Sequence, residues 1–228
     1  MASDAIKADE LLPREGGGDP SVAIGARLAA HRAERGVKVS ALARQIGVSP
    51  SLISQIERGQ SRPSVSTLFA LAEALGVPVD AFFRDGDQPA PQRLSVVGDA
   101  PSPDRDQRHV VRRGNRSAID IEGGVRWERL TPAPLDDLEF MELVYGPGAE
   151  SHKALYRHPG MEMVLVLSGT LVIFLGFERY ELEPGDSICF PSSTPHRYLN
   201  PTEETTRAVT VILPDGEMHG PPTNQRRP

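Results

Sequence analysis

The apolar residues of this 228-residue chain change period part-way along it. From Val22 to Phe83 they recur at spacings of three and four, the pattern of amphipathic helices; from Ala118 to Leu213 they recur at every second position, the pattern of strands with one buried face. No single sheet or helical bundle satisfies both periods, so the chain must fold as two units, and its length suffices for two small cores. In the first unit glycines punctuate the helices. Asp19 and Pro20 open one that carries Ile24, Leu28 and His31/Arg32, and Gly36 ends it. Val39 to Ile46 forms a second, with Leu42, Ala43 and Ile46 inward and Gly47 after it. Ser49 caps a third, Pro50 fills its first position, and Leu52, Ile53 and Ile56 make its buried stripe before Gly59. A fourth, Ser66 to Leu75, buries Leu68, Leu71, Ala72 and Leu75, and a last turn ends in Phe82-Phe83. The expectation is an all-α, five-helix domain over 19–84.

Residues 1–18, with Gly16-Gly17-Gly18 and scattered acids, read as a disordered arm, and 85–107, with four prolines, read as a linker in which only Leu94 to Val97 can pair as a strand. Strand candidates follow at Ala118–Ile121, Glu139–Tyr145, Met161–Leu167, Leu171–Leu175, Ser187–Phe190 and Ala208–Leu213, separated by Gly, Pro and Asp turns. They predict an all-β domain of barrel or jelly-roll type over 108–214, before a disordered tail at 215–228.

The charge is divided unequally. Residues 1–21 hold 2 basic and 5 acidic side chains, 22–84 hold 8 and 4, and 85–228 hold 15 and 22, which together return the 25 and 31 of the whole chain and its net −6. A basic unit is attached to an acidic one, as two domains with different partners would be. Arginines outnumber lysines 22 to 3, a bias that follows genomic base composition and gives single arginines little weight. The longest apolar run, Met163 to Phe177, is broken by Ser168-Gly169-Thr170 and falls short of the ~20 residues of a membrane span. The acidic N-terminus lacks the pattern of a signal peptide. A cytoplasmic protein with no membrane partner is expected. The single cysteine, Cys189, excludes an internal disulfide and a cysteine zinc cluster, and sits in a strand where a small core residue is expected.

A helix, a Gly-containing turn and a second helix over Val39 to Arg58 let that second helix enter a DNA major groove. Its outward positions, Pro50, Ser51, Ser54, Gln55 and Arg58, are short or polar, and Gln55 and Arg58 can reach base edges. The run Leu42-Ala43-Arg44-Gln45-Ile46-Gly47-Val48-Ser49-Pro50-Ser51-Leu52-Ile53-Ser54-Gln55-Ile56-Glu57-Arg58-Gly59, continued by Pro63-Ser64 and by Thr67-Leu68 through Ala74-Leu75-Gly76-Val77, resembles the helix-turn-helix of the XRE, or phage-repressor-like, regulators. That resemblance implies DNA contacts from Arg44, Ser49, Ser51, Ser54, Gln55 and Arg58. Lys38 stands where the family has Thr or Ser as a cap, so the second helix is capped weakly or by Ser40. Glu57 would repel phosphate and is read as a partner for a first-helix arginine, Arg27 or Arg32.

In the β unit, His158, Glu162 and His196 offer two imidazoles and one carboxylate, the ligand set of a facial-triad metal site. Tyr156-x-His158-x3-Glu162-x6-Gly169 resembles the first cupin motif, and Gly185-Asp186-x4-Phe190-Pro191 with His196-x3-Asn200 resembles the second. The resemblance implies a double-stranded β-helix, or jelly-roll, barrel with a central pocket lined by Tyr156, His158, Glu162 and His196. Tyr156 occupies the position of the family's first metal histidine and, with its phenol pKa near ~10, is a poor ligand for a divalent ion. Pro191-Ser192-Ser193 replaces the family's Pro-x-Gly. Two readings stand: His158, Glu162 and His196 hold one divalent metal, iron, zinc, manganese or nickel, with Tyr156 facing the effector; or the same side chains hydrogen-bond an organic ligand without metal. His152, His31, His109 and His219 are read as solvated. If Glu162 points inward so do Val164 and Val166, leaving Met163, Leu165 and Leu167 on an outer apolar face that the second sheet, the linker strand or another subunit must cover.

The combination resembles the XRE-cupin transcriptional regulators. It implies a dimeric, non-enzymatic regulator that binds a pseudo-palindromic double-stranded operator and responds to a small-molecule effector in the cupin pocket. The alternative is a mononuclear non-haem iron oxygenase or epoxidase of the same layout, with His158, Glu162 and His196 as iron ligands; a metal-dependent sugar or nucleotide isomerase is a weaker third.

Overall fold

The computed structural model describes residues 20–83, 109–135 and 138–214. The arm at 1–18, the linker with its Leu94–Val97 strand, the tail at 215–228 and His219 lie outside them. The all-α part contains α1 (Pro20–Glu34), α2 (Val39–Gln45), α3 (Pro50–Glu57) and α4 (Val65–Leu75). Among the described residues the α-helices number four, not five. The fifth expected element is a 3₁₀ turn over Val79–Phe83, too short to complete α-helical hydrogen bonding once Pro78 has opened it. Ser49 caps α3 by accepting from the Leu52 N–H, Ser64 caps α4 by accepting from the Thr67 N–H, and Gly76 closes α4 at φ +61. Lys38 precedes α2 without a side-chain cap, and Ser40 does not replace it. The stripes read from the sequence form this core: Ile24 and Leu28, Leu42 and Ala43, Ile53 and Ile56, and Leu68, Leu71, Ala72 and Leu75 are buried, while Leu52 and Ile46 pack at its margin. Arg32 grips Glu57 through Nε at 2.6 Å and Nη2 at 3.1 Å, so Glu57 joins α3 to α1. Arg27 instead donates to the Phe82 carbonyl.

Nine strands follow among the described residues: β1 (Ala118–Ile121), β2 (Val125–Arg129), β3 (Glu139–Tyr145), β4 (Met161–Ser168), β5 (Leu171–Leu175), β6 (Glu178–Leu182), β7 (Ser187–Pro191), β8 (His196–Leu199) and β9 (Thr206–Leu213). They build a six-stranded sheet in the order β1-β2-β3-β9-β4-β7 and a three-stranded sheet in the order β6-β5-β8, with every pairing antiparallel. Tyr198 of the small sheet reaches Glu162 of the large one at 2.7 Å, so the two sheets face each other in the expected jelly-roll. Three strands escaped the sequence reading. β2 and β6 each carry three charged residues in five, and β8 carries His196 and Arg197 in four. Cys189 corrects another expectation: it is exposed, because it shares the outer face of β7 while Phe190 turns inward. His31 is not solvated; its ring packs edge-on against Phe82, with Nδ1 3.4 Å from Glu34. No helix among the described residues is long and apolar enough to cross a membrane.

The two parts share one apolar core. Arg129, at 2% exposure, pairs with Asp80 of the 3₁₀ turn at 3.3 Å, and Glu139 of β3 accepts from the Val79 N–H at 2.9 Å. The Glu122 N–H donates to the Pro63 carbonyl at 3.0 Å. Within the helical part, α1 crosses α3 at Gly25, where a Cβ would come within 2.7 Å of the Glu57 carbonyl oxygen and closer still to that of Ile56. Backbone cannot retreat as a side-chain tip can, so Gly25→Ala is expected to destabilise the chain by about 1–3 kcal/mol, read as a lower midpoint in denaturant titration.

Candidate functional site

Strand alternation turns Glu162, Val164 and Val166 of β4 inward, as expected, and His196 and Tyr198 of β8 reach the same point from the opposite sheet. His158 enters from the segment before β4, held by its N–H to the Ser192 carbonyl at 3.1 Å, and Tyr156 bridges β8 through paired backbone bonds with His196. All four side chains are buried. His158 Nε2 lies 3.3 Å and His196 Nε2 3.5 Å from the same oxygen, Glu162 Oε2. Those three atoms are buried and have no hydrogen-bond partner among the described residues.

The surrounding groups fix which atoms face inward. His158 Nδ1 lies 3.1 Å from the Pro159 carbonyl and His196 Nδ1 2.9 Å from that of Thr194. A carbonyl only accepts, so both Nδ1 atoms carry a proton, and in the neutral form of each ring Nε2 presents a lone pair to the centre. Glu162 Oε1 accepts from the Tyr198 hydroxyl at 2.7 Å, and the Thr210 hydroxyl, shared with the Met163 carbonyl at 3.2 Å, lies 3.3 Å from it, leaving Oε2 to face the imidazoles. Burial alone would raise the Glu162 carboxyl, but the hydrogen bond and positive charge that a protonated imidazole of His158 or His196 supplies, with the Tyr198 hydroxyl, outweigh it and hold the group below its ordinary value. Burial lowers His196 and so favours its neutral form, against the Glu162 charge, which favours the cation. Two imidazole lone pairs and one carboxylate oxygen, all within 4.8 Å of one another, fit a divalent cation, which would satisfy three polar atoms that are otherwise stranded. The phenol of Tyr156 stands beside them, its ring centroid 4.6 Å from that of His196. Burial drives its hydroxyl well above the usual tyrosine value, which favours the neutral phenol over a phenolate.

Several contributors left no signal in the sequence. Thr210 hides in an apolar strand, and Tyr198 could have been found only by its position two residues after His196 on the same strand face. Phe69 of α4 stacks on His158 with centroids 3.8 Å apart and planes 4° from parallel, a cross-domain contact that neither segment announces. His152 is half-buried and bonded to the Ala154 backbone, apart from the cluster.

The expected DNA contacts lie together on the other part. Arg44, Ser49, Ser51, Gln55 and Arg58 are exposed and Ser54 is half-buried, so α3 presents a polar face opposite Ile53 and Ile56. Arg58 Nε is held by Gln60 Oε1 at 3.0 Å.

Comparisons with known proteins agree with this division. Residues 28–82 match a helix-turn-helix family model and 141–212 a cupin domain model. The Escherichia coli HTH-type transcriptional regulators PuuR and SutR are 25% and 26% identical to the chain over 197 and 181 residues, which span 86% and 79% of this chain and 97% and 89% of theirs. The crystal structure of an HTH_3 family transcriptional regulator from Vibrio cholerae superposes with a TM-score of 0.59 at 25% identity, covering 85% of this chain and 96% of that one.

Between the site and the helical part, Glu139 has its carboxyl raised to about 7 by burial and by the neighbouring Asp80 charge, against the Val79 N–H that favours the anion. The folded state holds this proton more tightly than the unfolded chain. Its contribution to stability is therefore fully present below about pH 4.5 and is lost as pH rises through about 7. Relative to the wild type, Glu139→Gln, which keeps an oxygen for Val79, should gain stability from pH 5 to pH 8; denaturant titration at the two values measures the difference.

Proposed function

The chain belongs to the DNA-binding helix-turn-helix transcriptional regulators that carry a cupin domain, and we propose that it reads a pseudo-palindromic operator through α3 as a homodimer and answers to a small-molecule effector at the His158/Glu162/His196 site. For the reader, the support is an exposed Ser/Gln/Arg face on a capped helix whose opposite face is locked into the core. Gln and Arg side chains at that position suit the acceptor and donor edges of bases in the major groove, while the serines and the α3 N-terminus suit phosphate. The same face favours a regulator over an iron oxygenase or epoxidase, which has no use for it. Alanine at Gln55 and at Arg58 should each weaken specific binding by roughly 1–3 kcal/mol per lost base contact, with a steep salt dependence in the wild type. Anisotropy titrations on a duplex from the chain's own upstream region test this, and unchanged affinity in a folded double variant would refute it.

For the sensor, the observation that carries the reading is the convergence of three unpartnered buried atoms, two with lone pairs set by backbone carbonyls and one anionic. His158, Glu162 and His196 would hold one divalent ion, iron, zinc, manganese or nickel; when bound, the ion supplies a Lewis-acidic anchor for a donor atom of the effector. Tyr156 and Tyr198 then orient polar groups of that effector, and His196→Ala should abolish metal binding, read by elemental analysis of the purified protein.

The outer face of the large sheet supports the homodimer. Met161, Leu165, Leu167 and Leu213 are exposed there, and the register sets Met163 beside Val211 and Cys189 in one continuous apolar surface. A second copy covering it would place two readers on two half-sites. The double substitution Leu165→Glu and Leu167→Glu is expected to yield a monomer in analytical ultracentrifugation and to weaken operator binding without unfolding the chain.

A further inference from the structure

Phe69 belongs to the DNA-reading part, yet it touches the sensor's centre. Its ring lies flat on the His158 imidazole at 3.8 Å, nearly parallel to Tyr156 at 6.1 Å and edge-on to Trp127 at 5.8 Å. Phe69 is itself 9% exposed, and the cluster beneath it is buried to 6% at His158, 3% at Glu162 and 0% at His196. The sensor site is thus closed by a side chain of α4. Beside it on α4, Leu68, Leu71, Ala72 and Leu75 enter the core that also holds Ile53 and Ile56 of the reading helix.

We infer that the sensor site is composite, with Phe69 of the reading head as one of its walls, and that this ring is the contact through which occupancy of the site reaches α3. The inference rests on the sensor reading above. A cation on His158 Nε2 draws charge from the imidazole, and the face of a phenyl ring attracts the resulting positive ring. The stacked arrangement of the two parts is then favoured over any in which α4 has moved away. Such a differential contact is what coupling between two sites requires, and it acts in both directions: the ion changes affinity for DNA by the factor by which DNA changes affinity for the ion. The ion pair of Arg129 with Asp80 and the bond from Val79 to Glu139 tie the same two parts together but lie on the 3₁₀ turn, not on the ring. Removing the ring therefore removes the link to His158 and leaves the parts attached.

The test uses the full chain, Co(II) alone as probe, and the upstream duplex. Co(II) binding is followed by its visible absorption and DNA affinity by anisotropy, each with and without the other ligand. In the wild type, Co(II) is expected to change DNA affinity at least about fivefold, with the reciprocal change in Co(II) affinity. In Phe69→Leu, Co(II) should still bind with the same absorption, while the effect on DNA falls below about 1.5-fold; a merely structural role would lower both DNA affinities and leave their ratio intact. Phe69→Met, which keeps apolar volume and helix preference without a ring, repeats the measurement should the leucine variant not fold. A ringless variant that binds Co(II) and keeps the wild-type ratio overturns the inference and leaves the sensor standing. Co(II) that binds the wild type without altering DNA affinity likewise overturns the inference alone. A wild type showing no Co(II) absorption overturns the metal reading of the sensor and this inference with it.

Discussion

The guanidinium of Arg129 is withdrawn from water and answered by Asp80, and the rest of the molecule is arranged around that junction. A buried ion pair adds little net stability, but breaking one leaves a charge with nowhere to go, so the contact strongly disfavours any other docking of the two parts. Its neighbours reinforce the geometry. The Glu139 carboxylate accepts from the first N–H of the 3₁₀ turn that carries Asp80, and Ser117 and the Thr131 carbonyl accept from the remaining guanidinium nitrogens. With the turn held against β2 and β3, α4 is brought over the barrel and Phe69 onto His158. Two segments of opposite charge and different secondary structure thereby share one core.

The same logic of stranded polar groups governs the sensor. Its centre is assembled from both sheets and a preceding loop, and each group has one end satisfied by the protein and the other turned inward unsatisfied. His158 and His196 give their Nδ1 protons to carbonyls, and Glu162 gives one oxygen to Tyr198 and Thr210. The two inward Nε2 atoms lie 3.3 and 3.5 Å from Glu162 Oε2, a spacing that the proposed divalent cation would complete. On the outer face of the large sheet the opposite economy holds. At one end Arg116 and Arg207 converge on Glu142, at 2.5 Å each, closing that surface with charge, while the β4, β7 and β9 end stays apolar and open.

Much of this was legible in the chain. The helical stripes, the cap at Ser49, the inward parity of Glu162, Val164 and Val166, and the membership of His158, Glu162 and His196 in one site all follow from local rules: 3.6-residue and two-residue periods, and the chemistry of imidazole and carboxylate. The errors have equally local causes. Cys189 reads as a core residue because its strand is short and it is flanked by Ile188 and Phe190, a pattern that does not reveal which parity faces the core. The fifth helix was a 3₁₀ turn because burial of Phe82 and Phe83, not hydrogen-bonded length, holds that segment in place.

By itself the sequence determined two units, their classes, the polar face of α3 and the three donor residues at the barrel centre, since each depends on side-chain type and spacing within one segment. Only the tertiary structure decided that Arg129 is a buried interdomain anchor and not one surface arginine among 22, that Tyr198 and Thr210 hold the carboxylate, and that Phe69 seals the site from the other unit. The physical reason is that burial and partner choice are properties of what a residue meets across the fold. Phe69 and His158 are separated by a long stretch of chain, and nothing near either of them records the 3.8 Å between their rings.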